Sequence, residues 1–258
     1  MTGRPTRPPT FADACASVLD DPSGEHGADT TLAPMVARTV SDAWGERRAR
    51  LVSSRLPADV DRVLELGCGV GALLCALGSR YDAVGVDDRR EHLRFPAARG
   101  ESVIYGDPAD PPVRPAFDAV CAVETTTARV DVSAVCAAAY RSLRPGGIAV
   151  VAAPTDPSAV IESGVETYSG SGYLLERAVD VAGSGTVAVD YRVTDRQTGA
   201  TTVVTERATV STTTTDGLTP ALGRAGFEHV LVAGESDLPG VVVGRGVRPV
   251  ETSAPAEQ

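Results

Sequence analysis

Glu65 lies near the end of an apolar run, Val63-Leu64-Glu65-Leu66, that breaks directly into Gly67-Cys68-Gly69-Val70-Gly71 and then into a helix-forming segment from Ala72 to Leu77. Alternating glycines between a strand and a helix make a nucleotide-binding turn. Glycine takes the positive φ that a tight turn demands, and its missing Cβ lets the backbone come up against a ligand. A carboxylate at position 65 repels a pyrophosphate and suits a cationic or polyhydroxyl ligand. The dinucleotide pattern G-x-G-x-x-G fails at Ala72, and a phosphate loop needs a lysine, of which the sequence has none. Two more carboxylates follow at even spacing. Ala83 to Val86 reads as a second strand ending in Asp87, 20 residues beyond Gly67, with Asp88 next to it. A carboxylate at such a strand end can accept from both ribose hydroxyls. Another 20 residues on, Val103-Ile104-Tyr105 reads as a third strand ending in Gly106-Asp107.

Further landmarks recur in order. Ala116-Phe117-Asp118 opens a fourth strand that runs to Val123, Leu143-Arg144-Pro145-Gly146-Gly147 makes a turn before a fifth strand, Ile148 to Ala153, and Ala225-Gly226-Phe227 closes a later helix. Asp118 sits at a strand start and is expected only to shape that end. Over about residues 61 to 153, and again from Leu222 to Val232, the chain resembles the class I S-adenosylmethionine-dependent methyltransferases, of the small-molecule type with an insertion after the fifth strand. The resemblance implies an α/β, Rossmann-like doubly wound seven-stranded sheet with an antiparallel β insertion, and S-adenosylmethionine as cofactor. It implies that Gly67, Gly69 and Gly71 meet the methionine part, that Glu65 helps hold its amino group, and that Asp87 takes the ribose. Gly106-Asp107 stands where the family accepts from the adenine amino group, and Cys68 and Asp88 neighbour the site.

Methyl transfer from a sulfonium is an in-line displacement, so the protein must chiefly align a nucleophile and exclude water. Glu124, just after the fourth strand and followed by Thr125-Thr126-Thr127, is the one weak candidate for a catalytic base; its competing role is a helix-start or cofactor-shell carboxylate. No Asn-Pro-Pro-Tyr motif follows that strand, which removes support for DNA adenine or glutamine methylation. A net charge of −10 without a basic cluster argues against a nucleic-acid substrate. Two functions remain: methyl transfer to a small-molecule acceptor, or a non-catalytic cofactor-binding partner or regulatory protein on the same fold. His26, His92 and His229 show no metal-ligand spacing, and the five cysteines show no C-x-x-C, so buried free thiols are expected. No apolar run is long enough to cross a bilayer and no signal core is seen at the start, so a cytoplasmic protein is expected.

Around these residues the chain divides into a disordered tail at 1–10, one domain at 11–248, and a second disordered tail at 249–258. Within the domain, 11–56 is a helical cap, 61–153 the cofactor-binding core, 154–214 an antiparallel insertion and 215–248 the closing helix and strands. Leu32, Val36, Val40, Trp44 and Leu51 follow helical spacing, with Arg47, Arg48, Arg50 and Arg55 expected in water. Arg89-Arg90 is likewise expected on a solvated face. The insertion shows three alternating stretches, Leu174 to Val181, Thr186 to Thr194 and Thr202 to Val210, separated by glycine-containing turns. The resemblance implies that an insertion at this place forms a wall or lid over the substrate and sometimes carries a homodimer contact. Tyr168, Tyr173 and Tyr191 are expected mainly to pack it.

Overall fold

The computed structural model describes residues 8–27, 29–159, 164–182 and 185–250. Strands β1 (Arg62–Leu66), β2 (Asp82–Asp87), β3 (Ser102–Tyr105), β4 (Phe117–Ala122) and β5 (Leu143–Pro154) run parallel, and β10 (Glu228–Gly234) and β11 (Val241–Val247) complete one sheet in the order β10-β11-β5-β4-β1-β2-β3. β11 is antiparallel to both β5 and β10. The chain order reverses between β1 and β4, the crevice where open α/β sheets bind ligands at the carboxyl ends of the strands. β1 is buried from Val63 to Leu66 because both faces of the sheet are covered, which is why its sequence is nearly continuous in apolar residues apart from Glu65. The expected seven-stranded α/β sheet is therefore the observed one.

One face of the sheet packs on α7 (Val132–Ser142) and α8 (Thr215–Ala225), through Val135, Leu218, Leu222 and Phe227 among others. The other packs on α4 (Ala72–Gly78), α3 (Asp42–Ser53) and the β10–β11 loop, through Leu51, Leu73, Leu77 and Leu238. Helix α5 (Arg90–Ala98) follows β2, and the short α6 (Glu124–Thr127) follows β4. At Asp118 both Asp61 and Arg62 N–H groups donate to the carboxylate, at 3.0 and 2.8 Å, so it shapes a strand end as expected.

The cap is helical, but in pieces: α1 (Phe11–Asp20), α2 (Ala33–Thr39) and α3. Residues 32 to 51 do not form one helix, because Ser41 starts a new one, its hydroxyl accepting from the Trp44 N–H at 3.1 Å. Thr10 belongs to the fold and not to a disordered tail: it caps α1 reciprocally with Asp13. Pro249 and Val250 are also described, while residues 1–7 and 251–258 of the expected tails lie outside the described residues.

The insertion is a separate four-stranded antiparallel sheet, β6 (Gly164–Gly170), β7 (Tyr173–Ala182), β8 (Thr186–Asp195) and β9 (Thr201–Thr209), in that order. The three expected stretches are β7 to β9. β6 was not anticipated, since Glu166, Thr167 and Ser169 break its apolar pattern. Leu175, Val179, Val187 and Val193 of its inner face pack on Ala14, Cys15 and Val18 of α1 and on Leu32 and Met35. The two ends of the insertion meet, the Thr213 N–H donating to the Pro154 carbonyl at 2.8 Å. Among the described residues no helix is long and apolar enough to cross a membrane. Cys15, Cys68, Cys121 and Cys136 are buried free thiols, and Cys75 is half-buried.

Helix α3 meets α4 without room for a side chain: a Cβ on Gly45 would lie 2.5 Å from the Ala72 carbonyl carbon. We expect Gly45→Ala to cost about 1–3 kcal/mol by overpacking, read as a lowered denaturant midpoint at constant m; an unchanged midpoint would show the two helices to be free to separate.

Candidate active site

A cavity of about 720 Å³ opens at the carboxyl ends of β1 and β4, between the glycine turn, α3 and the inner face of the insertion sheet. Glu65, Gly67, Cys68 and Gly69 line it. The three turn glycines all have positive φ, at +76°, +52° and +83° for Gly67, Gly69 and Gly71. Their roles differ. A Cβ on Gly67 would strike Thr126 and one on Gly71 would strike Pro96, whereas one on Gly69 would meet only the Arg89 side chain, at 3.2 Å, and the His92 ring. Gly71 therefore serves the turn's packing against Pro96, while Gly67, packed against Thr126, and Gly69, beside Arg89, both line the cavity.

Glu65 is 2% exposed, and its Oε2 has no hydrogen-bond partner. Burial, with the nearby Asp87 charge adding to it, pushes its pKa from an ordinary 4.5 up to about 8. Such a carboxyl is poised for a cationic partner. Cys68 is buried beside it, and burial drives its thiol well above the ordinary range, so it lines the wall as a neutral group.

Asp87 is fully buried. Its Oδ2 accepts from the Gly69 N–H at 2.8 Å and from Arg89 Nη2 at 3.0 Å, and its Oδ1 accepts from the Arg89 N–H and Nε, each at 2.9 Å. Burial works to raise its pKa, but these donors outweigh it and hold the carboxyl below its ordinary value. Asp87 thus sits beneath the cavity under Arg89, and a ribose would reach it only by taking an oxygen from that guanidinium. Arg89, expected in solvent, is instead a wall residue, because the carboxylate two positions earlier draws it inward. Asp29 of the α1–α2 segment lies 3.9 Å from both Arg89 Nε and His92 Nε2, and all three line the cavity.

Four other expected residues stay off the wall. Asp88 is exposed, 4.0 Å from Arg129. Gly106 packs toward Pro112, and the exposed Asp107 bends back to accept from the Ala109 N–H at 2.8 Å, a local turn bond. Glu124 is fully buried and accepts from Nε and Nη2 of Arg48, with its second oxygen unpartnered. It stands outside the cavity and its accepting oxygen is committed to Arg48, an arrangement that fits the competing expectation of a helix-start carboxylate. Arg48, likewise expected in water, is 5% exposed, lies 4.0 Å over the Trp44 ring, and lines the cavity with Trp44. The threonines after Glu124 fasten the loop: Thr126 Oγ1 donates to the Leu66 carbonyl at 3.0 Å, and Thr127 Oγ1 to that of Ala152 at 2.9 Å. Arg48, Arg89 and Trp44 were missed as site residues; the Asp87-x-Arg89 spacing was the one signal that pointed to any of them.

Residues 64–151 match the family model of a methyltransferase domain. No curated protein matches the chain. Among solved structures it is similar to KedS8, a sugar N-methyltransferase from Streptoalloteichus, with a TM-score of 0.68 at 20% identity over 88% of this chain and 95% of that one. DesVI of Streptomyces venezuelae gives 0.66 at 21% identity over 86% and 99%. CalS10 of Micromonospora echinaspora, an amino pentose methyltransferase solved with S-adenosylmethionine, gives 0.65 at 22% over 87% and 99%. The fold is that of these methyltransferases.

Removing the charge of Glu124 strands a buried guanidinium. Glu124→Gln is expected to cost about 3–5 kcal/mol in unfolding free energy, measured by urea titration; full stability with lost turnover would restore Glu124 as a base.

Proposed function

We propose that this protein transfers a methyl group from S-adenosylmethionine to the amine of a small-molecule acceptor. The observation that carries the reading is Glu65, a buried carboxyl with an unpartnered oxygen, facing a cavity that Gly67 and Gly69 of the glycine turn also line. These residues fit the cofactor: Glu65 would take its ammonium group, and the turn at Gly67 to Gly69 would lie against its methionine part. Bound there, the cofactor supplies a methyl carbon activated by its sulfonium, and on transfer to the amine lone pair the electron pair of the broken C–S bond stays on sulfur. An amine is favoured because KedS8 is described as a sugar N-methyltransferase and CalS10 as an amino pentose methyltransferase.

The chain's own part is to bind, align and dry the reactants. α3 supplies Trp44 and Arg48 to one side of the cavity and the insertion supplies Val189 and Tyr191 to the other, enclosing the ligands between two packed elements. Alignment of this kind supplies roughly 7–11 kcal/mol of a barrier. The acceptor nitrogen sheds a proton in the course of the reaction, and Glu124, held by Arg48, is not asked to take it. A homodimer through the outer face of the insertion, where Val165 and Val203 are exposed, a cytoplasmic setting and the absence of a nucleic-acid substrate belong to the same reading.

Glu65 is protonated at neutral pH in the free protein, and pairing with an ammonium group favours its anion. Cofactor binding is therefore expected to release a proton at pH 7 and to tighten as pH rises toward about 8. Calorimetry in two buffers of different ionisation enthalpy checks this; equal heats would remove Glu65 from the site. In parallel, Asp87→Ala should weaken S-adenosylmethionine by roughly 1.5–3 kcal/mol, through loss of the turn's Gly69 contact. Binding without turnover of any amine would favour a non-catalytic partner.

A further inference from the structure

We propose that Glu166, Arg177 and Tyr191, with Glu206 beside them, form the acceptor-recognition surface of the cavity and select a saturated, polyhydroxylated amine over a flat aromatic one. The proposal rests on the methyltransferase reading and deepens it.

The four residues come from four different strands of the insertion. Glu166 pairs with Arg177, and Arg177 with Tyr191, as direct cross-strand neighbours, which places the three in a row on one face. Glu206 stands opposite Val189, two residues from Tyr191 on the same side of β8. All four line the cavity. Elsewhere this face is apolar, Leu175, Val179 and Val193 packing on α1 and α2, so its polar residues are grouped at the cavity. Drawing the Arg177 guanidinium and the Tyr191 phenol largely out of water is unfavourable, and the packing of helices on the sheet does not require it, while the partly exposed Glu166 and Glu206 keep contact with the cavity's solvent.

The groups are also held in place. Glu166 Oε2 accepts from Arg177 Nη1 at 3.1 Å and from the Tyr168 hydroxyl at 2.9 Å. Tyr191 is 4% exposed, and burial together with the Glu206 charge pushes its hydroxyl up to about 12, against the opposing effect of Arg177, so it remains a neutral donor at physiological pH. Adjacent strands lie about 5 Å apart, so the row presents acceptors and donors at intervals comparable to the separation of alternate substituents around a saturated ring. Stacking of a flat acceptor is poorly provided for. One face of the Trp44 ring is already covered by the Arg48 guanidinium at 4.0 Å.

The test is binding, with no turnover needed: calorimetric titration of the full chain saturated with S-adenosylhomocysteine, using the methyl glycoside of glucosamine and, separately, histamine. The wild type is expected to bind the glycoside at least about tenfold more tightly than histamine. Glu166→Gln and Tyr191→Phe, both near-isosteric, should each weaken the glycoside about tenfold or more while leaving S-adenosylhomocysteine affinity within about twofold. Unchanged glycoside affinity in both variants, no glycoside binding by the wild type, histamine bound as well or better, or a parallel loss of S-adenosylhomocysteine affinity would each overturn the proposal. Failure of S-adenosylhomocysteine to bind the wild type would instead sink the methyltransferase reading, and this proposal with it.

Discussion

The ionised carboxylate of Asp87 is the charge on which the rest of the site depends. It fixes the glycine turn through the Gly69 N–H, draws Arg89 back over itself, and by its field helps keep Glu65 protonated. One buried anion thereby sets the shape of the turn, the position of a cation on the wall and the protonation state of the neighbouring acid. Its place at the end of β2, beside the crevice where the sheet order reverses, follows from the doubly wound topology.

A second buried charge pair, Arg48 with Glu124, joins the helical cap to the core across 76 residues of sequence. It works beside the close approach of α3 to α4 at Gly45, so steric and electrostatic contacts together fix the cap. Trp44 and Arg48 owe their position on the cavity to both. Ion pairs of this kind are weak evidence for net stability, but removal of one partner is costly, and that asymmetry gives the cap a single docked arrangement.

What was legible in the sequence was local. The order of strands, the glycine turn, Glu65 and the carboxylate ending β2 all follow from short apolar runs and the residues that end them, because the chemistry of a strand end is written within a few residues. Arg48 and Arg89 were misplaced for the opposite reason. Helical periodicity assigns a charged residue to solvent unless its partner is known, and Glu124 is remote in sequence from Arg48. For Asp107, a strand-ending Gly-Asp announces a turn as readily as a ligand contact, and here its carboxylate accepts from the Ala109 N–H. β6 escaped because its inner-face residues, Glu166 and Tyr168, are polar or amphipathic where strand alternation looks for aliphatic ones.

The insertion leaves the main sheet after Pro154 and returns at Thr213, where a single backbone hydrogen bond brings the two ends together. A segment whose ends meet can lengthen, shorten or be replaced with little change in the entropy of closing the chain around it. Among the described residues its sheet also forms no strand pairing with the seven-stranded one. The architecture is therefore modular: one wall of the cavity can be remodelled by grafting, while the Asp87-centred turn on the other side keeps its geometry.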